Sequence, residues 1–349
     1  MCIDMTSRPL TYGQAISEAL VQGMQEDPSV FIFGLGVDDC KGLFGTTKEA
    51  FARFGASRVF DVPASENALT GIAIGAALNG KRPVLAHARN DFMFLTLDQM
   101  INNAAKWKYT YAGRSSVPFV VRGIVGKGWG QGPTHSQSIQ ATLAHYPGII
   151  VAMPSNACDV KGIMLQALKA DGPVVILEHS ALYEKSCDVP VGVYQMPFGK
   201  ARVARVGKDI TVVAASLMVA EALQAAENLV QAGIDVEVID PVTIQPLDEA
   251  AILQSVRKTG RLVVADNSWL RCGFSAEVAA IAAEKAFEHL KAPVKRIGWP
   301  ECPCPVSKVL EDAFYPGAED IARAVWTLMG KKEKYVTQAK TIDTFVGPY

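Results

Sequence analysis

The stretch "DVPASENALTGIAIGAALNG", residues 61–80, decides the reading of the fold. It opens on a turn-like segment with Pro63 and Ser65. It then runs from Leu69 to Leu78 without a charge, in Ala, Gly, Ile, Leu and Thr. The run predicts a helix with a surface of small residues that allows close approach to a neighbour. One carboxylate, Glu66, stands at its head. A carboxylate entering apolar surroundings is costly unless paired or protonated. Glu66 therefore either sits near the positive end of the helix with Ser65 as N-cap, or faces a pocket where chemistry needs it.

Outward from this helix the chain alternates strands and helices. "TYGQAISEALVQGMQEDP" has helical spacing and "SVFIFGLG" is a short apolar run ending in glycine. "RPVLAHAR", "VPFVVRGIVG" and "GPVVILEH" are further strands, and "TLDQMINNAAKWKYTYAG" is a further helix. The βαβ rhythm predicts an α/β fold with a mostly parallel sheet and helices on both faces. A Pro- and Gly-containing, non-periodic stretch at 185–200 predicts a linker between a domain at 8–184 and a smaller α/β domain at 201–330. Residues 331–349 form a polar C-terminal extension.

Composition excludes several classes. The formal charge is −1, so nothing suggests nucleic acid or an anionic membrane as partner. No apolar run is long enough to span a membrane, and the N-terminus shows no secretory pattern. The cysteines are odd in number and irregularly spaced, which predicts reduced thiols in a cytoplasmic setting. The Cys302/Cys304 pair lacks the second pair that a zinc site needs, so no metal site is expected.

The glycine-rich loop "GIVGKGWGQGPTHSQS", 123–138, fits neither the dinucleotide nor the P-loop pattern. It is read either as a surface loop or as a segment delivering His135 to a site. Phe92, Met93 and Phe94 read as core packing, or the aromatics among them as a cofactor platform. His87, His145, His179 and His289 have no ligand spacing and read as structural or solvent-facing.

Taken in order, "DVPASENALTGIAIGAALNGKRPV", "DFMFLTLDQMINNAAK", "VPFVVRG", "THSQS", "PGIIVAMPSNACDVKGIMLQAL", "GPVVILEH", "VIDPVTIQPLD" and "GFSAEVAA" resemble the β subunits of thiamine-diphosphate-dependent 2-oxo acid dehydrogenases. These decarboxylase components serve the pyruvate, branched-chain and acetoin complexes and are relatives of transketolase. The resemblance runs from about Leu10 to Leu328. It implies a transketolase-like pyrimidine-binding domain followed by a transketolase C-terminal-like domain. Glu66 takes the position that hydrogen-bonds N1′ of the cofactor's aminopyrimidine, favouring the imino tautomer that accepts the thiazolium proton. Phe92 falls where an aromatic stacks on the pyrimidine, and His135 where a histidine handles substrate.

The diphosphate signature G-D-G is absent from the chain. The resemblance therefore implies that an α subunit holds the diphosphate and Mg²⁺, in an α₂β₂ assembly that can engage a lipoyl acyltransferase. The implied activity is decarboxylation of a 2-oxo acid such as pyruvate with transfer of the acyl or aldehyde unit to an acceptor. The alternative is a split transketolase-like or carboligase enzyme that works without lipoamide. The chain departs from the family pattern at Leu35 and Gly36, where two acidic residues are usual. It departs also at His87 and Arg89 in the strand before Phe92, at Leu95, at Ala170 and at Val242.

Overall fold

A computed structural model describes residues 6–39, 42–128, 130–331 and 335. The sequence-predicted extension 331–349 lies outside them except at 331 and 335. The chain forms two compact units. The first runs through Gly126 and resumes at Thr142–Phe198. The second takes Lys127–Ala141 and the chain from Gly199 onward.

The elements of the first unit are β1 (Ser7–Thr11), α1 (Tyr12–Glu26), β2 (Val30–Gly34), α2 (Lys48–Phe54), β3 (Val59–Phe60), α3 (Glu66–Leu78), β4 (Arg82–His87), α4 (Ala105–Thr110) and β5 (Val120–Val125). After the short α5 (Gln140–Ala144), whose first two residues group with the second unit, come β6 (Ile150–Ala152), α6 (Ala157–Ala167), β7 (Val174–His179) and β8 (Ser186–Pro190). The core strands of this unit are near-continuous apolar runs buried on both faces, as a helix-covered parallel sheet requires. Their order is β6-β7-β5-β4-β2-β3, and the pairings are parallel. From β2 the chain steps outward to β3, then crosses back to place β4 on the other side of β2. The gap between the carboxyl ends of β2 and β4 is therefore the topological switch point, where open α/β sheets bind ligands.

Two charged side chains lie inside this sheet. Arg122 of β5 and Glu178 of β7 are 1% and 0% exposed and form a two-pronged ion pair, Nε to Oε1 at 2.6 Å and Nη2 to Oε2 at 2.9 Å. Thr46 Oγ1 accepts from Arg122 Nη2 at 2.9 Å, and the Tyr183 hydroxyl donates to Glu178 Oε2 at 2.7 Å. A buried charge is tolerated only when paired and hydrogen-bonded; these partners supply that for Nε and Nη2, while Arg122 Nη1 has no partner.

The second unit contains β9 (Arg202–Arg205), β10 (Ile210–Ala214), α7 (Leu217–Val230), β11 (Val236–Asp240), the short β12 (Thr243–Gln245), α8 (Glu249–Thr259), β13 (Leu262–Trp269), α9 (Phe274–Ala286), β14 (Lys295–Trp299), α10 (Lys308–Phe314) and α11 (Ala318–Leu328). Its sheet runs β14-β13-β10-β11-β9, parallel except for the antiparallel edge β9. Ile210 and Val212 of β10, Ala222 and Leu229 of α7, and Ile321 and Val325 of α11 build its core.

The structure and the sequence-derived segments differ in two places. The stretch predicted as a linker, 185–200, begins with β8, which pairs antiparallel with β1, and the first unit continues to Phe198. The loop 127–141, expected within the domain at 8–184, groups with the second unit. Tight contacts within that unit hold it, as described below.

Candidate functional site

At the switch point of the first unit lies a pocket of ≈ 80 Å³ lined by Leu35, Glu66, Leu69, Ala86, His87, Ala88, Arg89 and Phe92. Leu35 follows β2, Ala86 and His87 end β4, and Glu66 opens α3. Its volume is well below the roughly 300–1,000 Å³ of a cleft that encloses a drug-sized ligand. It offers space to one ring rather than to a whole diphosphate cofactor.

Each wall has a local cause. Ser65 occupies the N-cap position of α3, but its side chain makes no capping bond. The capping role expected of Ser65 is therefore not realised by a side-chain bond. The α3 start is instead stitched to the segment after β4: Asn67 Nδ2 donates to the Leu95 carbonyl at 3.3 Å, and Gln99 Nε2 to Asn67 Oδ1 at 3.3 Å. Within the helix the Thr70 hydroxyl donates to the Glu66 carbonyl at 2.7 Å. Glu66 itself is half-buried.

Phe92 sits in a 3₁₀ segment, Asn90–Thr96. Asn90 Nδ2 donates to the Ile124 carbonyl of β5 at 3.2 Å, and the Thr96 hydroxyl donates to the Met93 carbonyl at 2.7 Å. Met93 is fully buried over Gly123, where an added Cβ would lie 2.4 Å from its sulfur. Of the apolar triplet, Met93 is thus the core residue. Phe92 and Phe94 keep 39% and 40% exposure, so Phe92 can present ring surface to the pocket.

The strand ends approach closely because Gly34 pairs with Ala86. A Cβ on Gly34 would lie 2.3 Å from the Ala86 carbonyl oxygen. The Gly36 amide donates to Asp61 Oδ1 at 2.7 Å, which clips the loop after β2.

His87 departs from its reading as structural or solvent-facing. It lines the pocket, is 6% exposed, and its Nε2 has no hydrogen-bond partner. Burial pushes its imidazole down to about 4, so the ring is neutral in the physiological range. Nothing local in "RPVLAHAR" signals this. The position of His87 at a strand end on the switch point comes from the sheet order.

His135 stands on the loop of the second unit, just after the turn Gly132–Thr134, half-buried, with Nδ1 2.9 Å from Thr134 Oγ1. This loop is anchored. Glu311 Oε1 accepts from the Gly128 and Gly130 amides at 3.0 and 3.4 Å, and burial raises the Glu311 pKa. Further along, Gln140 Nε2 donates to Asp266 Oδ1 at 2.7 Å and Ser268 Oγ to the Ser138 carbonyl at 3.1 Å. Gly132 has φ +69°, and a Cβ there would meet Val306 at 2.6 Å. A loop fixed in this way presents His135 in a defined setting.

A larger cleft of ≈ 350 Å³ lies at the amino ends of β2 and β4, lined by Glu26, Asp27, Arg82 and Lys169 among others. Its charges pair with one another, Arg82 with Asp27 and Lys169 with Glu26. Those pairings and the wrong end of the sheet assign it to structure. Among the described residues no group of three or more His, Cys, Asp or Glu is placed to hold a metal ion. Cys304 is buried with its sulfur 3.3 Å from the Tyr315 hydroxyl, and Cys302 is exposed. Also among them, no helix is long and apolar enough to cross a membrane.

Comparison with known proteins agrees with this architecture. Residues 8–185 match the transketolase pyrimidine binding domain, and residues 199–321 the transketolase C-terminal domain. The β subunit of acetoin:2,6-dichlorophenolindophenol oxidoreductase from Cupriavidus necator is 41% identical over 91% of this chain and 97% of that protein. The mitochondrial pyruvate dehydrogenase E1 component subunit beta-2 from Oryza sativa is 41% identical over 91% of this chain and 86% of that protein. Among solved structures, a split gene transketolase, described as an inactive beta4 tetramer, superposes with a TM-score of 0.74 at 24% identity, covering 93% of this chain and 99% of that one. At that identity the likeness shows the fold.

Proposed function

The chain belongs to the transketolase-like β subunits of the thiamine-dependent 2-oxo acid dehydrogenases, and from that premise we propose that it supplies the pyrimidine half of a thiamine diphosphate site. In this reading the assembled enzyme decarboxylates a 2-oxo acid such as pyruvate and passes the acyl or aldehyde unit to an acceptor. The observation that carries it is the one-ring pocket at the switch point, where a carboxylate, Glu66, and an exposed aromatic face, Phe92, meet.

The residues present fit an aminopyrimidine. Ala86 and Ala88 leave room for a flat ring, Phe92 offers a stacking surface, and Glu66 offers a carboxyl that can share a proton with a ring nitrogen. Thiamine diphosphate, when bound, supplies a carbon nucleophile and an electron sink for cleavage beside a carbonyl. Glu66 would hold the proton shared with the ring nitrogen and so set the tautomer. Phe92 would fix the ring's tilt and keep water from its face. His135 would hold or deliver a proton near substrate, steadied by the loop that carries it.

The ≈ 80 Å³ pocket and the missing G-D-G signature support a partner: an α subunit bearing the diphosphate and Mg²⁺, in an α₂β₂ assembly that can work with a lipoyl acyltransferase. The cysteines at 158, 187, 272, 302 and 304 form no disulfide, which supports a reducing, cytoplasmic setting.

The test is turnover by the co-expressed α/β pair, supplied with thiamine diphosphate, Mg²⁺ and in turn pyruvate, branched-chain 2-oxo acids and a ketose phosphate. The expected outcome is reduction of a dye acceptor with a 2-oxo acid, lost in Glu66→Ala. Carbon–carbon bond formation from the ketose phosphate without acceptor reduction would replace this reading with the split transketolase.

A further inference from the structure

His135 stands midway in sequence between two anchors of its loop, and each anchor ends on a buried carboxyl group of the second unit. Upstream, Glu311 of α10 is 1% exposed, and its Oε1 accepts from the Gly128 and Gly130 amides. Downstream, Gln140 and Asp266 of β13 are both fully buried, and Gln140 Nε2 donates to Asp266 Oδ1 at 2.7 Å. Ser138 joins this end, its hydroxyl donating to Gln140 Oε1 at 2.6 Å. The loop itself holds Gly128, Gly130 and Gly132 at φ of +78°, +65° and +69°. Glycine loses more freedom on ordering than any other residue, so such a loop without anchors spreads over many conformations. Burying a carboxyl group is costly unless hydrogen bonds offset it. Apolar contacts would pin a surface loop at lower cost, whereas hydrogen bonds fix direction as well as distance.

We propose that Glu311 and the Gln140–Asp266 pair are positioning residues for His135, fixing the loop that sets where its imidazole meets substrate. This rests on the reading of the chain as part of a thiamine-dependent 2-oxo acid decarboxylase with His135 at the substrate. The second unit then serves catalysis directly, because it holds the loop that carries the histidine.

The test uses the assembled α/β pair with wild-type, Gln140→Leu, Glu311→Ala, Glu311→Gln or His135→Ala chains, and with Gln140→Leu or Glu311→Ala combined with His135→Ala. Dye-linked turnover of a 2-oxo acid gives kcat, calorimetry gives thiamine diphosphate affinity, and limited trypsin digestion gives the rate of cutting after Lys127. Thermal unfolding of each pair checks that the variants fold. Gln140→Leu and Glu311→Ala should lower kcat about ten- to a hundredfold, the scale of a misplaced catalytic group. Both should speed cutting after Lys127 and leave cofactor affinity unchanged, since Glu66 and Phe92 belong to the first unit. Glu311→Gln keeps an acceptor oxygen and should recover most of the rate. With His135→Ala already present, neither substitution should lower kcat further, because the group being positioned is gone. Gln140→Leu is close in size to the native residue and carries the test alone if Glu311→Ala does not fold.

Wild-type kcat in a folded Gln140→Leu or Glu311→Ala pair would overturn the assignment. Losses that multiply with that of His135→Ala would overturn it too, since they would reflect the fold at large. Wild-type kcat in His135→Ala would remove this assignment while leaving the thiamine site at Glu66 standing. No turnover of any 2-oxo acid by the wild-type pair would remove the decarboxylase reading itself, and this assignment with it.

Discussion

His87 and Asp266 are buried titratable groups whose environments push them in opposite directions. Burial takes His87 down to about 4, and burial, partly offset by the Gln140 amide, pushes Asp266 up to about 7. In unfolded chain they titrate near 6.5 and 3.8. Between pH 6.5 and 4 the unfolded chain takes up a proton that folded His87 refuses, so this group's contribution is complete above 6.5 and is lost on acidification. Folded Asp266 holds a proton that the unfolded chain releases, so its contribution is greatest below 3.8 and is lost as pH rises through about 7. Urea midpoints across pH 4–7.5 should therefore show a shallower acid decline in His87→Phe, and in Asp266→Asn a shallower decline toward neutrality. Unchanged slopes in both variants would contradict the burial assigned to them. That Glu66 and Phe92 belong to one pocket was legible from the sequence, because the family pattern marks both positions. The environment of His87 was not, because it depends on which strands become neighbours.

Among elements, the close pairing of β2 and β4 positions the pocket walls. A methyl group on Gly34 would run into the Ala86 carbonyl, so Gly34→Ala must push apart the two strands that carry Leu35 and His87. We expect a stability loss of about 1–3 kcal/mol with weakened cofactor binding, measured by urea unfolding and calorimetry; wild-type values for both would show that the strands have slack. The alternation of strands and helices was readable from apolar runs and periodicity. β8 was not, since five residues, "SCDVP", pair with β1 across most of the first unit and carry no local strand pattern. The partnership of Arg122 with Glu178 was hidden for the same reason: 56 residues separate them, and each looks like an intruder in an apolar strand. Removing one partner strands the other, so Arg122→Met should cost about 3–5 kcal/mol. The Arg122→Met/Glu178→Met pair should recover part of that in the same unfolding experiment.

For the whole molecule, the two matched domain types follow the order that the sequence implied, and the second unit also claims the loop 127–141. What the sequence lacks is as informative as what it contains. Without a diphosphate signature and with room for about one ring, this chain is proposed to supply half of a cofactor site. On this reading Glu66 completes the site only when the α subunit is present. Its most direct test is calorimetric titration of thiamine diphosphate and Mg²⁺ into three samples: this chain alone, the α/β pair, and the pair carrying Glu66→Ala. The expected outcome is binding by the wild-type pair, at least tenfold weaker binding by the variant pair, and no measurable binding by the isolated chain. Equal affinity of the wild-type and Glu66→Ala pairs would contradict it.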